Sequence, residues 1–382
     1  MSRACHNRHP PVLLSWIHCR LKGYRVLAVA TGPAAKLQIV GLIALSDPPR
    51  EDSAALISEL TGLGVRTIMV TGDAPVTAQV VARVIGIAGP VWGTTPLPRE
   101  FQADKFSIFA GVLPEDKYQL VKALQNSGHI VGMCGDGAND APPLRQAQMG
   151  IAVSTATDVA KSAAGIVLTE PGLGGIVASV KEGRTTFQRI LTYTLRSIVH
   201  KVVQVLFLAT GLIMTGQAIL TPMLMVLMMV TGDFLAMSSS TDNVRPSPTP
   251  SVWKIGRLTA AGVIMGIVDL IFCITCFSVG RFLLKLDTGT LQTLTVVTLV
   301  FSGQALFYVA RERQYLWSSR PGKWLVISSA VDLTLISFLA INGVLMKPLA
   351  IAIVAGLFAA AIIFSFLLDS VKVFLFRRFG IA

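Results

Sequence analysis

Three short polar signatures in the first 140 residues carry side chains suited to phosphate and metal chemistry: Thr71-Gly72-Asp73, Pro114-Glu115-Asp116-Lys117 and Gly135-Asp136-Gly137-Ala138-Asn139-Asp140. The Thr71 hydroxyl and the Gly72 amide can donate hydrogen bonds to phosphoryl oxygens, and a glycine lets the backbone come close to them. Lys117 brings a positive charge of the kind that stabilises a phosphoryl group in transfer. Asp136 and Asp140 are hard oxygen donors, which Mg²⁺ takes through one or two carboxylates together with phosphate and water. Asn139 stands beside them as a supporting polar group, and the two glycines allow a turn tight enough to aim both carboxylates at one point. Each signature taken singly has a plainer reading: a turn and helix cap for Thr-Gly-Asp, a solvated helix residue for Lys117, an Asx-rich turn for the Gly-Asp-Gly loop.

The elements that must position them give the three signatures joint weight. Apolar runs at Val65–Val70, Ser107–Val112 and His129–Cys134 read as strands, followed by helices over 76–86, 115–126 and from about 139; shorter strands are predicted at Gly150–Val153 and Gly165–Leu168. Strands alternating with helices predict a parallel α/β sheet. Each signature directly follows a strand, at the sheet edge where open α/β folds form their ligand crevice.

The rest of the 382 residues is of another kind. Hydrophobic residues make up 52% of the chain and charged residues 14%, against about 25% charged in an ordinary soluble domain. Fourteen of the 21 acidic residues lie in 1–190 and seven in 191–382. Six apolar stretches, at 198–216, 218–237, 258–280, 291–310, 324–346 and 348–371, approach or exceed the ~20 residues a helix needs to cross a bilayer. The loops and tail on one side carry Arg245, Lys254, Arg257, Arg311, Arg313, Arg320, Lys323, Lys372, Arg377 and Arg378, and the other side carries Arg281, Lys285 and Lys347. Ten against three places the first set, with the soluble half and the C-terminus, in the cytoplasm. The net charge of +12 is scattered between apolar runs and comes with no recognition motif, so no nucleic-acid partner is expected. The five cysteines form no disulfide framework, and Cys273 and Cys276 read as small packing residues. Residues 1–20 have no apolar core of the kind a cleavable signal needs; Cys5, His6, His9, His18 and Cys19 there hint only weakly at a metal site.

On these motifs the chain resembles the C-terminal part of a P-type ATPase over residues 24–375. Asp47-Pro48-Pro49-Arg50 is similar to the family's hinge between nucleotide-binding and phosphorylation domains, and the three signatures, with Ala141-Pro142 after the last, match loops of its phosphorylation domain. Ile166 to Leu173 and Asp242-Asn243-Val244-Arg245-Pro246-Ser247-Pro248 are most similar to plasma-membrane proton pumps. The resemblance implies an atypical N-terminus at 1–23, the end of a nucleotide-binding domain at 24–46, with a hairpin from Arg25–Ala30 and Gln38–Ala44, and a phosphorylation domain at 47–190. A transmembrane domain of six helices at 191–375 and a cytoplasmic tail at 376–382 follow. It also implies ATP as substrate, Mg²⁺ as cofactor, Asp47 and Arg50 at the hinge, and cation export, with H⁺ favoured, across the plasma membrane.

The family's phosphorylated Asp-Lys-Thr-Gly-Thr motif and its Thr-Gly-Glu-Ser loop do not occur in these 382 residues. The matched role of Asp136 is metal binding, so it does not replace the nucleophile. The expected fold is therefore a haloacid-dehalogenase-like parallel sheet that lacks its central nucleophile strand and has a gap or collapsed seam there, followed by an all-α six-helix membrane domain. Alone, the chain should form no aspartyl phosphate. A complementary N-terminal pump fragment is one expected partner; the alternative is a non-catalytic membrane protein that binds Mg²⁺ or a partner chain.

Ionisable groups within spans are costly and therefore informative. Asp233 lies two-thirds of the way along the second span and matches the membrane carboxylate of the proton pumps, although Gly232 and Phe234 depart from their pattern. Arg196, His200 and Lys201 are candidate counter-charges on the first span, with snorkelling at the cytoplasmic end the plainer reading for Arg196 and Lys201. Asp269 and Asp332 read as structural polar contacts. The stretch Leu173–Gly216 has no proline and predicts one long helix serving as a stalk.

Overall fold

The computed structural model describes residues 10–21, 24–33, 36–45, 48–93, 97–98, 101–250 and 252–381. Asp47, Cys5, His6 and His9 lie outside these. The chain forms two compact units, residues 1–180 with 248–250, and residues 181–247 with 251–382.

The first unit begins with helix α1 (Pro10–Leu21), which no sequence signal indicated, and the antiparallel hairpin of β1 (Arg25–Thr31) and β2 (Gln38–Leu45). The hairpin leaves Leu27, Val29, Ile39, Val40, Ile43 and Leu45 exposed. There follow α2 (Ser53–Gly62), β3 (Met69–Val70), α3 (Pro75–Val84), β4 (Val91–Trp92), β5 (Ile108–Phe109) and α4 (Pro114–Asn126). The remaining elements are β6 (Gly132–Gly135), α5 (Ala141–Gln146), β7 (Met149–Ala152), α6 (Asp158–Ala163) and β8 (Ile166–Val167). All pairings after the hairpin are parallel, as expected, but they make two sheets of order β3-β5-β4 and β6-β7-β8.

The division into two sheets corresponds to the expected break. Both β3 and β6, the strands that precede the first and third signatures, end a sheet. The ladder is also shorter than predicted: of Val65–Val70 only Met69 and Val70 pair, of Ser107–Val112 only Ile108 and Phe109, and the third strand begins at Gly132 rather than His129. A strand with a neighbour on one side only has half its backbone groups unpaired, and Ile130, just before β6, is 83% exposed. Where the sheet is intact it is buried on both faces, the rule for parallel strands. Ile108 packs with Ile57, Ala78 and Ala82, while Phe109, on the opposite face, packs with Val112, Leu120 and Leu124.

The second unit holds α7 (Gly174–Thr215, whose first turns lie in the first unit), α8 (Pro222–Ser238), α9 (Ile255–Ser278), α10 (Thr288–Ala310), α11 (Lys323–Asn342) and α12 (Ile351–Phe379). All six are long and apolar enough to cross a membrane. Helix α10 is the central one, buried along nearly its whole length. Two span boundaries differ from the hydropathy reading. Helix α11 stops at Asn342 because Gly343 takes a left-handed φ of 70° that ends the helix. Helix α12 runs on to Phe379, so Lys372 is not a tail charge: it is fully buried, donating to Asp369 Oδ1 at 2.6 Å and to the carbonyls of Val309 and Gln314.

Candidate functional site

The loop after β3 is held by the loop after β5. Thr71 N–H donates to the Phe109 carbonyl at 2.9 Å, Val112 N–H to the Thr71 carbonyl at 3.0 Å and Gly111 N–H to the Asp73 carbonyl at 2.8 Å. The Thr71 hydroxyl donates to Asp73 Oδ2 and accepts from Asp73 N–H, both at 3.1 Å. Gly72 is exposed, and a Cβ there would meet only the Val112 carbonyl, at 3.8 Å. The fold itself therefore does not require a glycine at 72; only what approaches from outside would.

From Val112 the chain enters α4, with Pro114 at its first turn, where a missing N–H does no harm. This turn puts Lys117 Nζ 2.6 Å from Asp140 Oδ1. Asp140 is 4% exposed, and its other oxygen accepts from the N–H groups of Asp136 at 3.3 Å and Gly137 at 3.2 Å. The inward fold of Asp140 needs a glycine: a Cβ on Gly135 would lie 2.6 Å from the Asp140 Cβ. Asp136 and Asn139 are exposed, and the Asp136 carboxylate has no hydrogen-bond partner among the described residues. Burial pushes the Cys134 thiol above its ordinary pKa, and the charges of Asp136 and Asp140 push it further.

The two aspartates of the Gly-Asp-Gly loop thus differ. Asp140 holds the loop and Lys117 together, while Asp136 presents free hard oxygens to solvent. No group of three or more His, Cys, Asp or Glu gathers into a cage among the described residues, and Mg²⁺ needs none, since it keeps waters and phosphate oxygens around one or two carboxylates. The donor set fits that ion, with Asp136 the available ligand.

Asp116, beside Lys117, has a part that the motif did not reveal: it is 5% exposed, and its Oδ1 accepts from Leu97 N–H at 3.1 Å, pinning Leu97 to the first turn of α4. Arg50 lies 3.5 Å from Asp52 in an exposed pair and contacts none of Thr71, Lys117 or Asp140.

In the helical unit Asp233 is exposed on α8, between buried Thr231 and Leu235. Arg196 donates to the carbonyl of Gly232 at 3.3 Å and lies over the Phe307 ring. His200 is half-buried and Lys201 exposed, and Asp233 has no ion pair among the described residues. Asp269 is buried against Cys273, and Asp332 accepts from Gln304 Nε2 at 2.5 Å. Sequence reasoning missed Gln304, a neutral residue, and also the buried pair of Arg311 and Asp242, 2.9 Å apart, which fastens the loop after α8 to the loop after α10. Gly322 N–H completes that junction, donating to Asp242 Oδ1 at 2.8 Å.

The architecture is a haloacid-dehalogenase-like α/β domain followed by a helical region with six candidate membrane helices: residues 14–148 match the family described as haloacid dehalogenase-like hydrolase. Over 375 residues the chain is 32% identical to a Methanocaldococcus jannaschii protein named "Putative cation-transporting ATPase", an alignment that takes in 94% of this chain and 46% of that relative. The chain spans about half the length of this homologue.

Proposed function

We propose that the chain is the C-terminal part of a P-type pump that couples ATP hydrolysis to cation export, with H⁺ the favoured cargo, across the plasma membrane. The observation that carries this reading is the Lys117–Asp140 contact of 2.6 Å, which joins two strand-end loops into one charged cluster on a hydrolase-type domain. Thr71, Gly72 and Asp73 would bind phosphate, and Lys117 would steady the phosphoryl charge. Asp136 would hold Mg²⁺, with Asp140 and Asn139 shaping its loop; the ion, when bound, would offset negative charge on the phosphate oxygens. Asp47 and Arg50 would act at the hinge near the end of a nucleotide-binding segment at 24–46. Asp233 would carry the cation, with Arg196, His200 and Lys201 as counter-charges. The excess of Lys and Arg in the loops after α8 and α10 favours a cytoplasmic position for the soluble unit and the C-terminus.

The aspartate that takes the phosphoryl group would come from an upstream segment or a partner chain bearing Asp-Lys-Thr-Gly-Thr. The test is acid-stable labelling from γ-³²P-ATP with Mg²⁺ in lipid vesicles. The chain alone is expected to stay unlabelled, and labelling should appear on the complementary segment when the two are co-expressed, and vanish with Lys117→Ala or on chelation of Mg²⁺. Labelling of this chain by itself would overturn the assignment. The absence of the nucleophile motif from these 382 residues favours a second reading, a non-catalytic membrane protein that binds Mg²⁺ or a partner. It predicts no labelling with any complement.

A further inference from the structure

A second polar site lies within the helical unit. Asp332 on α11 and Gln304 on α10 are 6% and 4% exposed. They share one hydrogen bond, from Gln304 Nε2 to Asp332 Oδ2. The other oxygen of each, Asp332 Oδ1 and Gln304 Oε1, is buried with no partner among the described residues. A buried polar atom left unpaired costs about 1–3 kcal/mol, so a contact serving structure alone leaves two such costs in place. Both residues line a cavity of about 30 Å³ whose other polar lining groups come from Arg196, His200, Thr231 and Gly232, the rest of the wall being Met, Leu, Val and Gly. That is above the roughly 10–15 Å³ one water needs.

The lining chemistry selects the occupant. The two unpaired atoms are acceptors, so the site requires a donor. The Thr231 hydroxyl is turned to the Met228 carbonyl at 3.1 Å, and the Gly232 carbonyl is taken by Arg196. Even with the Thr231 hydroxyl and the Gly232 carbonyl, which keep lone pairs, added to the two unpaired atoms, the protein oxygens fall short of the roughly six around a hard metal ion. A proton on the carboxyl, with one water between Oδ1 and the amide oxygen, satisfies both acceptors. The charged and titratable groups on the neighbouring helices are Arg196 and His200 on α7 and the exposed Asp233 on α8; α10 contributes neutral Gln304, and on α12 Asp369 and Lys372 are paired to each other.

We infer that Asp332, held by Gln304 and facing this cavity, is a second intramembrane proton-binding carboxyl, separate from Asp233. Its part in transport rests on the pump reading above; its protonation does not. Infrared difference spectra of the full chain in lipid nanodiscs, taken between acid and alkaline buffer, test it through the carboxyl C=O stretch. Asp332→Asn should remove one band, Asp332→Glu should move it, Gln304→Leu should shift it, and Asp233→Asn should leave it in place. A spectrum of Asp332→Asn that superimposes on that of the unaltered chain would overturn the site. So would displacement of the band by Na⁺ or K⁺ at constant pH, which would mark a metal-ion site instead. If the band behaves as expected while the assembled pump moves no protons, the site stands and the proton-pump reading falls. Proton flux without the band would remove the site and leave the pump reading intact.

Discussion

Asp136 and Asp140 look equivalent in a six-residue motif, yet their surroundings set them to different tasks. Removing the Lys117 charge leaves the buried Asp140 carboxylate to its backbone donors alone. Lys117→Met should destabilise the soluble unit by about 1.5–3 kcal/mol, the worth of a hydrogen bond to a charged group, read from denaturant unfolding of the full chain. Asp136→Asn should leave that unfolding midpoint unchanged and abolish Mg²⁺ binding measured by titration calorimetry. The same carboxylate acts on Cys134. Because burial and the two aspartates raise the thiol pKa, thiolate is scarce at neutral pH and the midpoint of the alkylation rate against pH should lie above the ordinary value of 9.0. In chelator-containing buffer, Asp136→Asn takes away one negative neighbour, so the rate profile should move to lower pH. The motif reading supplied the residue types here; the difference in roles depends on a contact between residues 23 positions apart.

At the level of elements, the parallel α/β pattern and the six helices were legible because period and hydropathy are local properties of the chain. Strand lengths were not, since a strand is as long as its hydrogen-bonded neighbour allows. Hydrogen exchange should follow this: amides of β5 and β7, each flanked on both sides, should be protected, while those of β3 and β6 exchange faster from their open edges. Slow exchange at Met69–Val70 and Gly132–Gly135 would contradict it. Among the helices, the junction of Asp242 and Arg311, both almost fully buried, fastens the loop after α8 to the loop after α10. Asp242→Ala should cost about 3–5 kcal/mol by leaving the guanidinium unpaired, seen as a lower melting temperature in detergent. The double change Asp242→Leu with Arg311→Met should recover most of it.

For the whole molecule, the composition already separates a water-soluble first half from an apolar second half, and the homologue has the name of a cation-transporting ATPase. The membrane carboxylates divide by exposure. Asp233 faces out from the described helices, and Asp332 is enclosed by them. In a reconstituted complete pump, Asp233→Asn should abolish cation flux while phosphorylation from ATP persists; undiminished flux would reject Asp233 as the carrier.

The amino-acid order by itself determined the strand–helix alternation, the three signatures at strand ends, the six apolar helices and the identity of every ionisable group within them. Tertiary structure alone decided that Asp140 is a support and Asp136 is free, that Lys372 and Arg311 are buried within the helical unit rather than borne on its surface, and that Gln304 meets Asp332. The physical reason is range. Hydropathy and turn preference act over a few neighbouring residues, whereas a charge or hydrogen-bonding group takes its role from partners 23, 28 or 69 positions away, which only the folded chain brings within reach.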